Sequence, residues 1–407
     1  MKRKFRIIVG MLLLAIPLCM NAQVKPVRPN QDPEKAKIEK EEKMKAEKEQ
    51  REQEKREKKE AKGGFEMPKI SGFVQGMYQA DLNKDFQLQS NTLSMRRVRL
   101  SVDGTLVKGL TYKIQGDFTR KPMLVDAFVK YKACNAFAIQ IGQFKTPFSI
   151  ESPINPVNLE IFDYGESIKN LVGYSDVCGV GSLGRDLGIM ATGSFFPIKG
   201  EEGIKYHVVE YAIGVFNGNG ANEKDNNNRK DIAGRLYVHP GLEALTLSAS
   251  YYNGKYKTAE DHGTRNRWSA GLQYDDGNFL FRAEYLSGLT GYQVAAFNDS
   301  LPVLDEQGNQ VYFENFRNST GYYAVAGYNF KLGKDKSQKF MPVLRYEHFE
   351  PGDMAPVVYG STNWYTAGIN YWPIKSLNFK LDYSLVQKVV GDRTNSHRIV
   401  ALVSYKF

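Results

Sequence analysis

Apolar and polar side chains alternate through most of the chain in segments of about ten residues, and this rhythm limits the folds that the chain can adopt. In the last segment, Ile399, Tyr405 and Phe407 fall on one face of an extended strand, and Arg398 and Lys406 fall on the other. No apolar pattern of helical period appears after residue 65. The alternation therefore predicts an all-β protein whose strands have one apolar face and one polar face.

The segments number sixteen and are separated by clusters of turn residues. An even number of strands returns the chain to the side from which the first strand began, which suits a closed antiparallel barrel. The predicted strands are 69–81, 94–104, 110–119, 123–133, 136–145, 185–197, 205–217, 230–239, 243–253, 265–275, 278–289, 320–331, 339–349, 363–373, 377–388 and 397–407.

The connections between these segments alternate between short and long. Every second connection is brief, such as "CN", "PGLE" and "DG", whereas most of the others are long, including 146–184 and 290–319. Bacterial outer-membrane barrels have short periplasmic turns and long outer loops. The alternation fits that asymmetry, with one exception, the tight outer connection at 120–123.

The two faces of the strands differ in the way that a barrel in lipid requires. Phe281, Ala283 and Tyr285 share one face of their segment, and Arg282 and Glu284 share the other. A soluble sandwich of sixteen strands would leave exposed sheet edges, whereas closure in a bilayer removes the edges and pairs every backbone group. We therefore predict a sixteen-stranded antiparallel transmembrane β-barrel over residues 65–407, with its apolar face toward lipid.

The N-terminal region has two parts. Residues 1–22 combine a basic start, an apolar run and a small residue before the expected cut after Ala22, which is typical of a secretory signal peptide. Residues 23–64 include the charged run 34–62, in which acidic residues precede basic ones by four positions, as in Glu39 and Lys43. This run is predicted to be a short charged periplasmic helical arm or, equally, a disordered charged spacer.

The net charge of +10 does not describe the predicted barrel. Residues 1–62 contain 18 Lys and Arg against 11 Asp and Glu, whereas residues 63–407 contain 37 against 34. Nucleic-acid binding is not expected, because the basic excess is not on a folded surface and the chain is predicted to be exported. Cys134 and Cys178 remain after signal cleavage, and the sequence does not decide whether they pair.

The segment "SMRRVRLSVDG" contains the sharpest candidate for a functional surface. Alternation directs Arg97 and Arg99 into the lumen and Arg96 toward lipid or its interface, with Val98, Leu100 and Val102. The next two strands add Lys113 and Lys130 to the lumen. Basic groups in a narrow pore attract anions and replace part of their hydration shell. The alternative is a structural network, in which Asp103, Asp117 and Asp126 neutralise these bases.

Enzymatic signatures are not found in the sequence. The five histidines show no metal-binding spacing, and no nucleotide loop or nucleophile elbow occurs. His348, in "YEHFEP", is interpreted as an ordinary histidine of the outer rim. We expect neither catalysis nor a cofactor or a metal.

Four blocks, "SMRRVRLSVDGTLVKGLTYKIQGDF", "VDAFVKYK", "AIQIGQFKTPFSIE" and "GRDLGI", resemble in order and spacing the signature blocks of the phosphate-selective porin O and P family. The resemblance is strong over residues 69–196. It implies a homotrimeric outer-membrane channel of sixteen strands whose third outer loop, about 146–183 here, folds inward as a constriction. It also implies that basic residues guide anions, and the positions that correspond are Arg97, Arg99, Lys113, Lys130, Lys145 and Arg185.

The loop at 146–183 departs from a simple anion pathway. Its five acidic residues oppose only Lys169, which gives the loop a net charge of −4; they are Glu151, Glu160, Asp163, Glu166 and Asp176. Such a loop inside the pore would repel phosphate unless its carboxylates pair with bases of the wall.

The expected function is therefore that of an outer-membrane porin of a diderm bacterium, surrounded by lipid. It would pass small hydrophilic solutes passively and prefer anions, inorganic phosphate among them. The alternative is a structural outer-membrane anchor, in which the arm at 34–62 contacts the cell wall, either peptidoglycan or a periplasmic protein.

Overall fold

The structure is a computed structural model that describes residues 67–173, 184–201, 203–257, 262–295, 297–298, 301–302, 312–333, 336–352, 360–390 and 392–407. The predicted signal peptide and charged arm lie outside these residues, as do Asp176 and Cys178. Cys134 is described and is an exposed free cysteine.

The strands are numbered β1 to β19 in chain order. Their bounds are β1 Lys69–Leu82, β2 Leu88–Val107, β3 Leu110–Asp117, β4 Leu124–Lys132, β5 Ala138–Lys145, β6 Arg185–Gly200, β7 Gly203–Phe216, β8 Asp231–Val238, β9 Leu245–Lys257, β10 His262–Asp275, β11 Phe279–Ala295, β12 Phe297–Asn298, β13 Leu301–Pro302, β14 Tyr312–Tyr328, β15 Phe330–Leu332, β16 Gln338–Glu350, β17 Ser361–Ile374, β18 Leu377–Val390 and β19 Asp392–Lys406.

These strands form one closed antiparallel barrel. Strands β14 and β15 both pair with β16 and are separated only by Asn329, so together they make one barrel strand. Strands β12 and β13 form a separate two-stranded ribbon. The remaining strands bring the barrel to sixteen, and β1 closes it by pairing with both β2 and β19. The predicted fold class and all sixteen predicted strand positions are confirmed.

Several strands run further than the alternation predicted, at the end of the barrel that has the long loops. Strand β2 begins at Leu88 rather than at residue 94, and β14 begins at Tyr312 rather than at residue 320. The added stretch of β2, "LQSNTL", is mostly polar and exposed. Beyond the lipid band, strands pair without an apolar face, so the sequence signal stops before the strand does.

The outward side of the wall is apolar. Ile114, Val129, Ile141, Ile189 and Ile213 lie on the neighbouring strands β3 to β7, and each exposes about half of its surface to the exterior. Inward residues of the same strands include the buried polar side chains of Gln115, Asp126 and Gln140. This is the division between a lipid face and a lumen face that the sequence predicted.

A β-bulge corrects the prediction for Arg96. Gln75 of β1 pairs with Arg97, but the next residue, Gly76, pairs with Met95, so Arg96 is the extra residue of the bulge. The guanidinium of Arg96 therefore turns to the carboxylate of Asp163 in the loop after β5 instead of facing lipid. Parity read along a single strand cannot detect an inserted residue.

The connection after β5 folds into the barrel. We name its described part, residues 146–173, the inner loop. It contains a 3₁₀ turn at Pro156–Asn158 and a short helix, α1, at Glu166–Leu171. Its buried apolar residues join one cluster with inward residues of the wall, which are Phe144, Phe216, Ala233, Tyr252, Leu286, Tyr323, Val325, Val343 and Phe349. The apolar side of the inner loop thus packs mainly against β7 to β16, with one further contact residue on β5. Within the described part of the chain, no helix has the length and apolarity needed to span a membrane.

Candidate permeation site

A cavity separates the inner loop from the opposite wall, which is formed by β2 to β8. Its volume is about 410 Å³. Five of the six basic residues singled out from the sequence line it, namely Arg99, Lys113, Lys130, Lys145 and Arg185. Alternation places these side chains in the lumen, and the barrel closure brings them together from β2, β3, β4, β5 and β6. The sequence reasoning did not select Arg235 of β8, which lines the same cavity.

A second cavity, of about 270 Å³, continues from the first toward the short turns. The two share Lys130, Thr192, Ala212 and Arg235 among their lining residues. The second adds Lys132 and Glu210, among others. Together the two linings contain seven bases, the six above and Lys132, against two carboxylates, Asp126 and Glu210. The inner surface on this side is therefore strongly basic.

The bases of this surface differ in whether they are neutralised. Arg99 donates to Asp117 at 2.8 Å, and Arg185 donates to Asp126 at 2.7 Å. Both pairs are buried, so the predicted structural network exists at these two positions. By contrast, Lys113, Lys130 and Lys132 have no carboxylate oxygen within 4.0 Å among the residues that the structure describes. Lys145 and Arg235 lack such a carboxylate as well, but both donate to oxygens of the inner loop. Lys113, Lys130 and Lys132 are therefore the bases of the passage with neither kind of partner among the described residues.

Lys145 and Arg235 also contact the inner loop. The Lys145 Nζ donates to the carbonyl oxygens of Ser152 and Ile154 and to the Tyr164 hydroxyl, the last at 2.9 Å. The Arg235 Nη1 donates to the Ser149 carbonyl oxygen at 3.4 Å, and its guanidinium lies over the ring of Tyr237. These two residues therefore position the loop while contributing positive charge to the cavity.

Arg97 is placed differently from the other five predicted residues. It is buried and does not line either cavity. Its guanidinium donates to Asp163 at 2.7 Å and to Gln75 at 3.3 Å. Arg97 faces the lumen as predicted, but its partner is the inner loop. We assign it to loop positioning.

The acidic residues of the inner loop are absent from both cavity linings. Glu151 pairs with Arg282 at 3.3 Å and with Arg345 at 2.6 Å, and Glu160 pairs with Arg282 at 2.5 Å. Asp163 pairs with Arg96, Arg97 and Lys169, and Glu166 pairs with Lys169 at 3.1 Å. Each described carboxylate of the loop thus has a basic partner. On the passage side the loop presents instead Pro147, Pro153, Asn155 and Pro156.

The surroundings of two loop carboxyls keep them ionised. Burial alone would raise the pKa of Asp163, but the attraction of Lys169, Arg97 and Arg96 lowers that pKa from 3.8 to about 2. Burial also opposes ionisation of Glu160, and the charge and hydrogen bond of Arg282 lower its pKa nonetheless. The ion pairs of Asp163 and Glu160, which we name the loop clamp, are therefore charged at neutral pH.

The wall also binds the backbone of the inner loop. Three wall carboxylates accept backbone N–H groups, Glu284 from Ile150 at 3.0 Å, Glu347 from Ser167 at 2.7 Å and Asp382 from Phe162 at 2.7 Å. The sequence marked Arg282 and Glu284 as charges of the polar face, but it carried no signal of their partners on the inner loop, which lie more than 100 positions away along the chain.

Two further expectations concern catalytic or metal chemistry. His348 stacks on Tyr322 with 5.1 Å between ring centroids, and its Nδ1 is 2.9 Å from the Asn363 side-chain oxygen. It thus takes part in ordinary contacts on the outward side of β16. Among the described residues, no group of three or more His, Cys, Asp or Glu is arranged to hold a metal ion.

A closed sixteen-stranded barrel with an apolar exterior, an inner loop and a basic passage defines an outer-membrane β-barrel channel. The model of the family named phosphate-selective porin O and P matches residues 69–288, which is 220 of the 407 residues. The chain belongs to this family, and its place is the outer membrane. The match also covers the strands that line the basic passage.

Solved porins share the fold at low sequence identity. The anion-selective porin from Comamonas acidovorans is 12% identical, with a TM-score of 0.57 over 84% of this chain and 99% of that one. OmpF of Salmonella typhi, in complex with daunomycin, is 14% identical, with a TM-score of 0.56 over 84% and 97%. The trimer form of OmpT from Vibrio cholerae is 12% identical, with a TM-score of 0.50 over 84% and 100%. Among curated proteins, none matches the chain.

Proposed function

We propose that this porin passes small hydrophilic solutes by passive diffusion and prefers anions, inorganic phosphate among them. One observation carries the preference. The passage between the inner loop and β2 to β8 is lined by seven bases against two carboxylates, while the described acids of the loop pair with bases. The family description and the anion-selective Comamonas porin support the same preference.

The magnitude of the charge effect is sufficient. An anion about 6 Å from one uncompensated ammonium group gains roughly 0.7 kcal/mol in water and about 3 kcal/mol at the effective dielectric constant of a protein surface. Lys113, Lys130 and Lys132 supply three such groups along one path. Since about 1.4 kcal/mol corresponds to a factor of ten, their combined field favours an anion over a cation of similar size by more than tenfold.

We further infer that the chain acts as a channel rather than as an enzyme and that it assembles as a homotrimer. The trimer form of the similar OmpT barrel supports the second inference. The alternative, an anchor with a cell-wall-binding arm, depends on residues outside the described part of the chain, and no contact in the barrel favours it.

The proposal is tested by the zero-current potential of the purified protein in planar bilayers under a tenfold gradient of KCl. We expect the sign of this potential to show that chloride is more permeant than potassium. The opposite sign would contradict the anion preference. A folded protein without conductance would favour the anchor.

A further inference from the structure

The passage has an apolar component that transport of inorganic anions does not require. Phe128 of β4 and Met190 of β6 are inward residues, line the 410 Å³ cavity and are only partly buried. On one side they pack against the cluster that holds the inner loop. Their remaining surface faces the passage. Phosphate and chloride gain nothing from such a surface.

The position of Phe128 relative to the lysines is specific. Lys113 of β3 is its direct cross-strand partner, and Lys130 follows two residues later on the same face of β4. Directly opposite side chains of an antiparallel pair have their Cβ atoms about 5 Å apart. The ring therefore projects from the wall between Lys113 and Lys130, neither of which has a carboxylate oxygen within 4.0 Å among the described residues.

Met190 extends this surface across the next strands. Lys130 pairs with Gln140 of β5, and Gln140 pairs with Met190 of β6, so the three side chains form one row across the wall. Phe128 lies in the neighbouring row beside Gly142 and Gly188, which lack side chains. The wall thus presents a ring and a thioether beside two free cations. Thioether sulfur makes favourable contacts with aromatic rings.

The opposite side of the cavity is formed by the inner loop and is also partly apolar. Pro147, Pro153 and Pro156 line it, and proline has neither a charge nor an N–H group to offer. A solute between the two sides meets apolar atoms on both, and cations on one.

We propose that the passage prefers organic anions that carry a flat apolar group, and aryl carboxylates in particular, with Phe128 and Met190 as the residues that set this preference. The carboxylate contacts Lys113 and Lys130, and the ring lies against Phe128 and Met190. This inference rests on the proposed anion preference and names a solute class within it.

The test compares two anions of equal charge and nearly equal shape, benzoate and nicotinate, as their potassium salts on opposite sides of a bilayer that contains the full-length protein. The zero-current potential gives their permeability ratio directly. We expect benzoate to be favoured about fourfold, the factor produced by burial of roughly one methylene group. A ratio of one or less in the unsubstituted protein would overturn the proposal.

Variants assign the effect to its residues. Phe128→Asn should bring the ratio close to one, whereas Val129→Thr, the adjacent residue on the lipid face, should leave it unchanged. If Phe128→Asn does not fold, Met190→Gln should reduce the ratio to about half. An unchanged ratio in the folded lumen variant would refute the assignment. If zero-current potentials in KCl show anion preference while benzoate and nicotinate are equally permeant, only this inference fails. If the KCl potentials show potassium to be the more permeant ion, the proposed function fails too.

Discussion

The bases of the passage are not equivalent at the scale of single residues. Arg99 and Arg185 belong to buried pairs with Asp117 and Asp126, so part of their charge is cancelled. Lys113 and Lys130 have no such partner among the described residues. We therefore expect the lysines to set selectivity and the arginines to maintain the shape of the wall.

The double substitution Lys113→Gln, Lys130→Gln tests this division. Removing these two charges should lower the anion-to-cation permeability ratio by about tenfold, since each contributes roughly 0.7 kcal/mol at about 6 Å in water and about 1.4 kcal/mol corresponds to a factor of ten. Zero-current potentials in KCl gradients measure the ratio. Lys205→Gln, which removes an exposed lysine paired with Glu243 away from the passage, is the control. A double variant as selective as the control would exclude these lysines from the pathway.

Parity along each strand was enough to predict which bases face the lumen, because a closed barrel has only two sides. Lys113, Lys130 and Arg99 were found in this way. The prediction for Arg96 was wrong because the bulge opposite Gln75 and Gly76 shifts the alternation by one residue. Asp117, the partner of Arg99, lies directly opposite it on the next strand and was among the partners that the sequence suggested. The partner of Arg97 lies on the inner loop, for which the sequence has no periodic signal.

The inner loop is the element that separates the basic passage from the filled part of the barrel. Glu151 is its central ionic contact, since two wall arginines, Arg282 and Arg345, converge on one of its oxygens. The family resemblance implied an inward loop at about 146–183, and the sequence assigned it a charge of −4, but whether its carboxylates face the pore stayed open. Only the register of distant strands brings Arg282 and Arg345 beneath the loop.

Glu151→Gln should loosen the loop. Removing one partner of a buried ion pair typically costs about 3 kcal/mol, because the remaining charge stays desolvated. We expect a lower midpoint of urea unfolding in detergent and increased open-channel current noise. Glu166→Gln changes a partly exposed carboxylate of the same loop and serves as the control. Equal noise in the two variants would show that Glu151 does not fix the loop.

The loop clamp should withstand mild acid. The pKa of Asp163 is about 2 in the folded protein and 3.8 for the ordinary group. A lowered pKa means that the stabilisation is complete above about pH 3.8 and is lost as the pH falls from there toward 2. Asp163→Asn should accordingly raise channel noise by the same amount at every pH between about 7 and 4, because the carboxylate that it removes is ionised throughout. A difference between the two proteins that disappears near pH 5 or 6 would contradict the low pKa of Asp163.

At the scale of the whole molecule, the barrel closes where its two ends meet. Gly72 and Phe407 exchange backbone hydrogen bonds of 3.0 and 3.1 Å. A Cβ at Gly72 would lie 2.6 Å from the Phe407 ring and 2.5 Å from the Arg99 carbonyl oxygen, so only glycine fits beneath the terminal ring. The alternation that ends in Phe407 predicted a lipid-facing row of side chains. The packing of the Phe407 ring on Gly72 could not be predicted, because it depends on closure of the barrel.

Gly72→Ala should therefore weaken closure, whereas Gly76→Ala should not. A Cβ at Gly76 of the same strand meets nothing within 4 Å. Overpacking of a fitted contact costs about 1–3 kcal/mol, which should lower the temperature at which the folded form is lost in heat-modifiability gels. If the Gly72→Ala barrel is as heat-resistant as the Gly76→Ala barrel, the packing of Phe407 on Gly72 does not contribute to closure.

The central claim is that solutes cross between the inner loop and β2 to β8 and that the opposite side is filled. Cysteine modification tests it directly, in a background in which Cys134 and Cys178 are serine. Thr192, in the lining of both cavities, and Ser269, buried on β10, are each replaced by cysteine. A negatively charged thiol reagent should reduce the current through Thr192→Cys and leave Ser269→Cys unaffected; block through Ser269→Cys alone would contradict the account.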